Sequence, residues 1–189
     1  MKRIFVSVLQ RLRYLMVWFS RIRHSLGFGV QSPTDFWFSR YVINERWPYY
    51  QYQELQQQVT GLDHDHRRLC ELYLRLANYW QPQTIADVEG PAASYLQAGC
   101  HRARLVTVGA VQADMVRLQL TGNYRATLPL ILNKVCERTM LIVEDLWRDP
   151  TFWRELQANE RVVVTFDLYY CGIVLFDTKR YKQHYIVNY

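Results

Sequence analysis

The sequence predicts an α/β fold, a sheet with helices on both faces, and three observations carry that prediction. Up to residue 80 apolar residues recur at helical spacing; beyond it short apolar runs alternate with helical stretches; the last runs are joined by connections too short for a helix. A chain of 189 residues that is 50% hydrophobic is long and apolar enough to bury one core without disulfides or a structural metal.

Along the chain, Ile4, Phe5, Val8, Leu9, Leu12, Leu15, Met16 and Phe19 share one helical face, with basic residues mostly on other faces. Ser32, Pro33 and Asp35 signal the start of a second helix running to about residue 44, because the serine caps free amides and the acid sits in the positive first turn. The aromatic run Trp47, Tyr49, Tyr50 and Tyr52 around Pro48 could stack a base or an adenine ring, but covering a core edge is the expected use. Asp63 or Asp65 caps a helix carrying Leu69, Leu72, Tyr73, Leu76 and Trp80, which Pro82 ends. Strands are expected at residues 84–88, 105–108, 115–120 and 140–143, with helices at 91–98, around Leu128 to Val135 and at 147–156. The 140–143 strand is apolar throughout and ends on Glu144 and Asp145, as a central parallel strand does at the carboxyl edge of its sheet. Residues 161–168, 172–176 and 183–187 are expected as antiparallel additions at one edge. The division is residues 1–80 as a helical extension packed on the core and residues 81–189 as the α/β core.

The net charge of +6 has one source. Lys2, Arg3, Arg11, Arg13, Arg21 and Arg23 all precede the first acid, Asp35, and the remaining 17 basic and 17 acidic residues cancel. This argues against a general polyanion-binding surface and for a role confined to the first helix. Packing of its apolar stripe on the chain itself, or on a second copy as a homodimer, is the expected use; nucleic acid or an anionic membrane surface are the others. Arginines interrupt the stripe long before the roughly 20 apolar residues that a transmembrane segment needs. Cys70, Cys100, Cys136 and Cys171 lie far apart without a C-x-x-C pair, which suits reduced thiols in a cytoplasmic protein.

Several stretches, taken in order, resemble a bacterial group of class I S-adenosylmethionine-dependent methyltransferases. They are Arg23-His24 with Gly27, Gly29, Ser32 and Pro33; Tyr49-Tyr50; and the run Gln81-Pro82-Gln83-Thr84-Ile85-Ala86-Asp87. Val143-Glu144-Asp145-Leu146-Trp147, Phe166-Asp167, the run from Gly172 to Phe176 and Lys182-Gln183-His184-Tyr185 follow in the order of that fold's last strands. The resemblance implies a shortened Rossmann-like sheet that binds S-adenosylmethionine at the carboxyl ends of its first strands. It carries the cofactor-binding role onto Asp87 and Gly90, and a catalytic or metal-assisting acid onto Glu144 and Asp145.

The physical needs of that cofactor are then set against the residues present. A first strand ending in an acid should lead into a loop of two or three glycines, since a Cβ would collide with the cofactor. Here Glu89 and Pro91 flank the single Gly90, and proline also removes an amide donor. The second strand should end in an acid for the ribose hydroxyls, but this one ends Thr107-Val108-Gly109-Ala110. The connection from there to the next strand is too short for a helical crossover, so a helix and one strand of the usual core are expected to be missing. These departures predict a methyltransferase-like protein with an eroded cofactor site that works as a scaffold; the alternatives are an active enzyme with a divergent pocket, or a lipid- or nucleic-acid-associating protein.

Asp63, His64, Asp65, His66 and Cys70 form the one cluster with metal-like spacing, and a solvated helix start explains them with fewer assumptions, so no metal is expected. Ser94, His101 and Asp114 form no nucleophile elbow. His184 reads as an ordinary edge-strand residue.

Overall fold

The structure, a computed structural model, describes residues 12, 15–25, 28–87 and 90–189. Its centre is a seven-stranded mixed sheet. The strands are β1 (Thr84–Ala86), β2 (Arg104–Val106), β3 (Met115–Gln119), β4 (Met140–Glu144), β5 (Val164–Asp167), β6 (Cys171–Leu175) and β7 (Gln183–Ile186). They lie in the order β2-β1-β3-β4-β6-β5-β7, parallel from β2 to β4, with β6 antiparallel to both β4 and β5.

Around the sheet lie α1 (Pro33–Phe38), α2 (Tyr50–Gln58), α3 (His64–Trp80), α4 (Pro91–Gly99), α5 (Tyr124–Leu132) and α6 (Pro150–Ala158). Side chains alternate across each strand, so the sheet feeds two cores. Ile85, Met115, Met140, Ile142 and Ile173 join α3 and α4 on one face. Ala86, Val116, Leu141, Val143 and Val174 join α5 and α6 on the other. This is a Rossmann-like three-layer arrangement with an antiparallel edge.

Local chemistry explains the helix boundaries. The Ser32 hydroxyl accepts from the Asp35 amide at 3.3 Å, and Asp63 accepts from the His66 amide at 2.9 Å, so each satisfies an orphan donor. After Phe38 the first helix widens into a π turn over Ser39–Ile43, where its carbonyls need partners. Arg75, buried in α3, supplies them, donating to the Val42 and Ile43 carbonyls at 2.9 and 3.0 Å. The α3 helix ends where Gln81 turns left-handed at φ 49°. Against it packs α4, so closely that a Cβ on Gly99 would lie 2.2 Å from the Leu74 carbonyl oxygen.

Three features depart from expectation. The described members of the N-terminal stripe, Leu12, Leu15, Met16 and Phe19, do not pack on the chain itself but lie about half exposed or more. Strand β7 is not an antiparallel addition: it pairs parallel to β5 on the side away from β6, in register from Val164↔Gln183 to Asp167↔Ile186. The connection after β6 passes beyond β5 instead of folding back beside its own strand. The aromatic run covers the core only in part, since Tyr52 is buried but Trp47 and Tyr50 are 77% and 93% exposed. Of the first helix's apolar stripe, Ile4, Phe5, Val8 and Leu9 lie outside the described residues, as do Gly27, Val88 and Glu89.

Candidate functional site

In an open α/β sheet, ligands bind beyond the carboxyl ends of the strands, at the point where successive connections leave for opposite faces. That point lies between β1 and β3, because α4 follows β1 onto one face and α5 follows β3 onto the other. The residues arriving there are Asp87, one position past β1, Arg117 in β3, and Glu144 at the end of β4.

All three side chains point toward α3 and α4. Strand alternation requires it: Asp87 follows the parity of Ile85, Arg117 that of Met115, and Glu144 that of Ile142, each of which belongs to that core. The register Ala86↔Val116 brings Asp87 beside Arg117, and Arg117↔Ile142 places Glu144 diagonally, two residues further along β4 on the same face. Arg117 Nε donates to Asp87 Oδ1 at 2.7 Å, and its Nη1 donates to Glu144 Oε2. The Arg117 and Asp87 side chains are 4% and 2% exposed, so the switch point holds a buried acid–base–acid bridge.

Burial by itself would lower the Arg117 pKa, but the Glu144 and Asp87 carboxylates outweigh it and hold the guanidinium above its ordinary value. The same charges reach the facing helix. Burial, reinforced by Glu144, pushes the Cys70 thiol up to about 12. Burial and Glu144 also raise Tyr73 well above its ordinary value, and its hydroxyl has no hydrogen-bond partner among the described residues.

The second predicted acid, Asp145, turns away from this bridge. Its backbone is left-handed at φ 66°, its amide donates to the Tyr170 carbonyl at 2.7 Å, and its carboxylate pairs with Arg148 at 2.8 Å. It lines a cavity of about 250 Å³ with Asp63, Asp65, His66, Trp147 and Tyr170. Asp63 and His66 of the metal-like cluster therefore come near Asp145, but Asp63 is occupied as helix cap and by His66 Nδ1 at 2.8 Å. Cys70 of the same cluster is buried, and no group of metal-ligating residues forms among the described residues.

Gly90 precedes α4 at φ 156°, with open space where a Cβ would stand, and Pro91 takes the first helical position. The loop's other departure, Glu89, lies outside the described residues. At β2 no acid appears. The chain passes from Val106 to Met115 without a helix, because a run of that length, at roughly 3.3 Å per residue, already spans a strand and two interstrand spacings. Asp114 serves as a staple, accepting from the Gln83 amide at 2.7 Å and the Thr84 amide at 3.3 Å. His184 in β7 bonds Thr165 Oγ1 at 2.9 Å.

Sequence reasoning missed Arg117. The signal was present, since a cation inside the apolar run from Met115 to Leu120 must find carboxylates once its strand is central. The aromatic run, for which ring stacking was the lesser expectation, lines with α3 a cavity of about 580 Å³ bounded by Trp47, Tyr49, Tyr50, Tyr52 and Arg75.

No family model matches the chain, and no curated protein does. Among solved structures, a methyltransferase from Geobacter sulfurreducens superimposes with a TM-score of 0.49 and 13% identity, over 73% of this chain and 95% of that one. A likeness at that level leaves function to be argued from the strand order and the residues.

Proposed function

We propose that this chain is a methyltransferase-like scaffold whose cofactor site is filled by its own side chains, and that it acts through interactions with other molecules instead of by catalysis. The observation that carries this reading is the buried Asp87–Arg117–Glu144 bridge at the switch point.

S-adenosylmethionine carries a sulfonium cation, which needs an open crevice and carboxylates or dipoles free to face it. In this protein the acid expected to bind the cofactor and the acid expected to assist transfer are both engaged by one buried guanidinium. Because the Asp87 and Arg117 side chains are 2% and 4% exposed and Glu144 8%, a cofactor could reach these carboxylates only by displacing a buried, hydrogen-bonded guanidinium. The residues do not fit the cofactor. The missing acid after β2 removes the ribose contact as well. Beside Asp145 the cavity of about 250 Å³ falls below the roughly 300–1,000 Å³ usual for organic ligands.

Titration with S-adenosylmethionine and S-adenosylhomocysteine by calorimetry, with thermal shifts alongside, tests the reading. One-site binding must raise the melting temperature once ligand exceeds its dissociation constant. No heat and no shift at about millimolar ligand is the expected result. Micromolar binding that weakens on Asp87→Ala would overturn it in favour of an active methyltransferase with a divergent pocket.

A further inference from the structure

The chain's excess positive charge and much of its uncovered apolar surface fall on the same segment. Leu12, Leu15, Met16, Phe19 and Ile22 follow helical spacing, and each is about half exposed or more, Met16 reaching 73%; Phe28 is 75% exposed. The stripe faces away from the fold. The segment's other side is fastened to the sheet, with Arg21 Nη1 donating to the Asp167 carboxylate at 2.8 Å and carbonyl at 2.9 Å. Asn188 adds two bonds from its side chain, to the Trp18 carbonyl and the Ser25 hydroxyl, and one from its amide to the His24 carbonyl. The helix is held in place while its apolar side is left bare.

Asp167 neutralises Arg21. Lys2, Arg3, Arg11, Arg13 and Arg23 have no acid near them in sequence, since Asp35 is the first. A stripe of Leu, Met, Phe and Ile in the same stretch of sequence as these cations matches one surface chemically: anionic headgroups for the cations, and acyl chains for the apolar side. A second copy would bring two strongly cationic segments together, and a nucleic acid would leave the stripe in water. No described helix is long and apolar enough to cross a membrane.

We propose that the N-terminal segment, through Leu12, Leu15, Met16, Phe19, Ile22 and its flanking arginines, seats this protein on an anionic lipid bilayer. The proposal does not depend on the scaffold reading, and a protein that bound S-adenosylmethionine would carry the same anchor.

The test is sedimentation of the full chain with vesicles of phosphatidylcholine, alone or with about 30 mol% phosphatidylserine. Partitioning is expected to be about tenfold or more stronger on the anionic vesicles and to fall as salt rises from about 0.1 to about 0.5 M. The Met16→Glu, Phe19→Glu double variant should lose it by about tenfold or more with an unchanged melting temperature, because neither side chain supports the core. Arg23→Glu should weaken it by about tenfold on anionic vesicles and leave neutral ones unaffected. Equal partitioning on both vesicles, or full binding by the double variant, would overturn the proposal. So would tighter binding to duplex DNA or RNA that ignores Met16→Glu and Phe19→Glu, or a dimer abolished by those changes without vesicle binding.

Discussion

Arg117 Nε stands 2.7 Å from Asp87 Oδ1, and both side chains are almost wholly buried at the point where this sheet would open to a ligand. A guanidinium in that position can stay only while its carboxylates stay with it, which gives the first prediction.

Replacing Arg117 with methionine should destabilise the protein by about 3–5 kcal/mol, because two buried carboxylates lose their partner. Adding Asp87→Asn and Glu144→Gln to Arg117→Met should recover much of that loss. Urea denaturation of the single and triple variants reads both; equal midpoints for Arg117→Met and the parent would show that the bridge contributes nothing.

Gly99→Ala should cost about 1–3 kcal/mol, since its Cβ would meet the Leu74 carbonyl oxygen at 2.2 Å, and backbone cannot step aside as a side chain does. Gly172→Ala meets Trp153 Cη2 at 2.5 Å and should cost a similar amount, about 1–3 kcal/mol. Thermal unfolding of each variant against the parent measures the difference.

Asp149 ties α5 to α6. It accepts from the Phe152 amide at 2.9 Å, the Tyr124 hydroxyl at 2.8 Å and Arg125 at 2.6 Å, and these bonds, the amide first, draw its carboxyl down to about 2. A depressed folded-state pKa means stability that is present above the ordinary value of 3.8 and lost as pH falls through about 2. The melting-temperature gap between the parent and Asp149→Ala should therefore be full near neutral pH and shrink from about pH 4 downward. A gap independent of pH would remove this assignment.

Thiol reactivity should separate the cysteines. Burial raises Cys70 and Cys171, whereas at the half-buried Cys136 burial is outweighed by bonds from Thr139 and Arg138 that lower its pKa. Alkylation of the native protein near pH 8, followed by mass spectrometry, should modify Cys136 first, with Cys70, Cys100 and Cys171 reacting only on unfolding. Early labelling of Cys70 would show that its site opens.

Signals that depend on neighbours in the chain were legible. Ser32 and Asp63 as caps, Pro82 after α3, and the apolar run of β4 ending on Glu144 all act within a few residues, where one favourable bond or one missing donor decides the local conformation. The α/β alternation followed from the same local periods, and the short link between β2 and β3 told correctly that no helix would lie there.

What depends on strands meeting was not legible. Asp87, Arg117 and Glu144 are separated in sequence by 30 and 27 residues and become partners only through the sheet register. Asp35, expected as a first-turn acid of α1, also holds Arg180 at 2.7 Å and accepts from the Tyr185 hydroxyl at 3.2 Å, contacts that no local pattern announces. The same is true of β7, whose parallel seat beside β5 was set by which sheet edge was left to cover.

By itself, then, the sequence determined the elements, their order and the concentration of charge at one end, because helix periods, caps and strand alternation are properties of short segments. Only the tertiary structure decided that Arg117 would pair with both Asp87 and Glu144, and that Leu15, Met16 and Phe19 would face outward instead of into a core. Burial and charge pairing are properties of groups brought together from afar, and their strength comes from the water that folding removes around them.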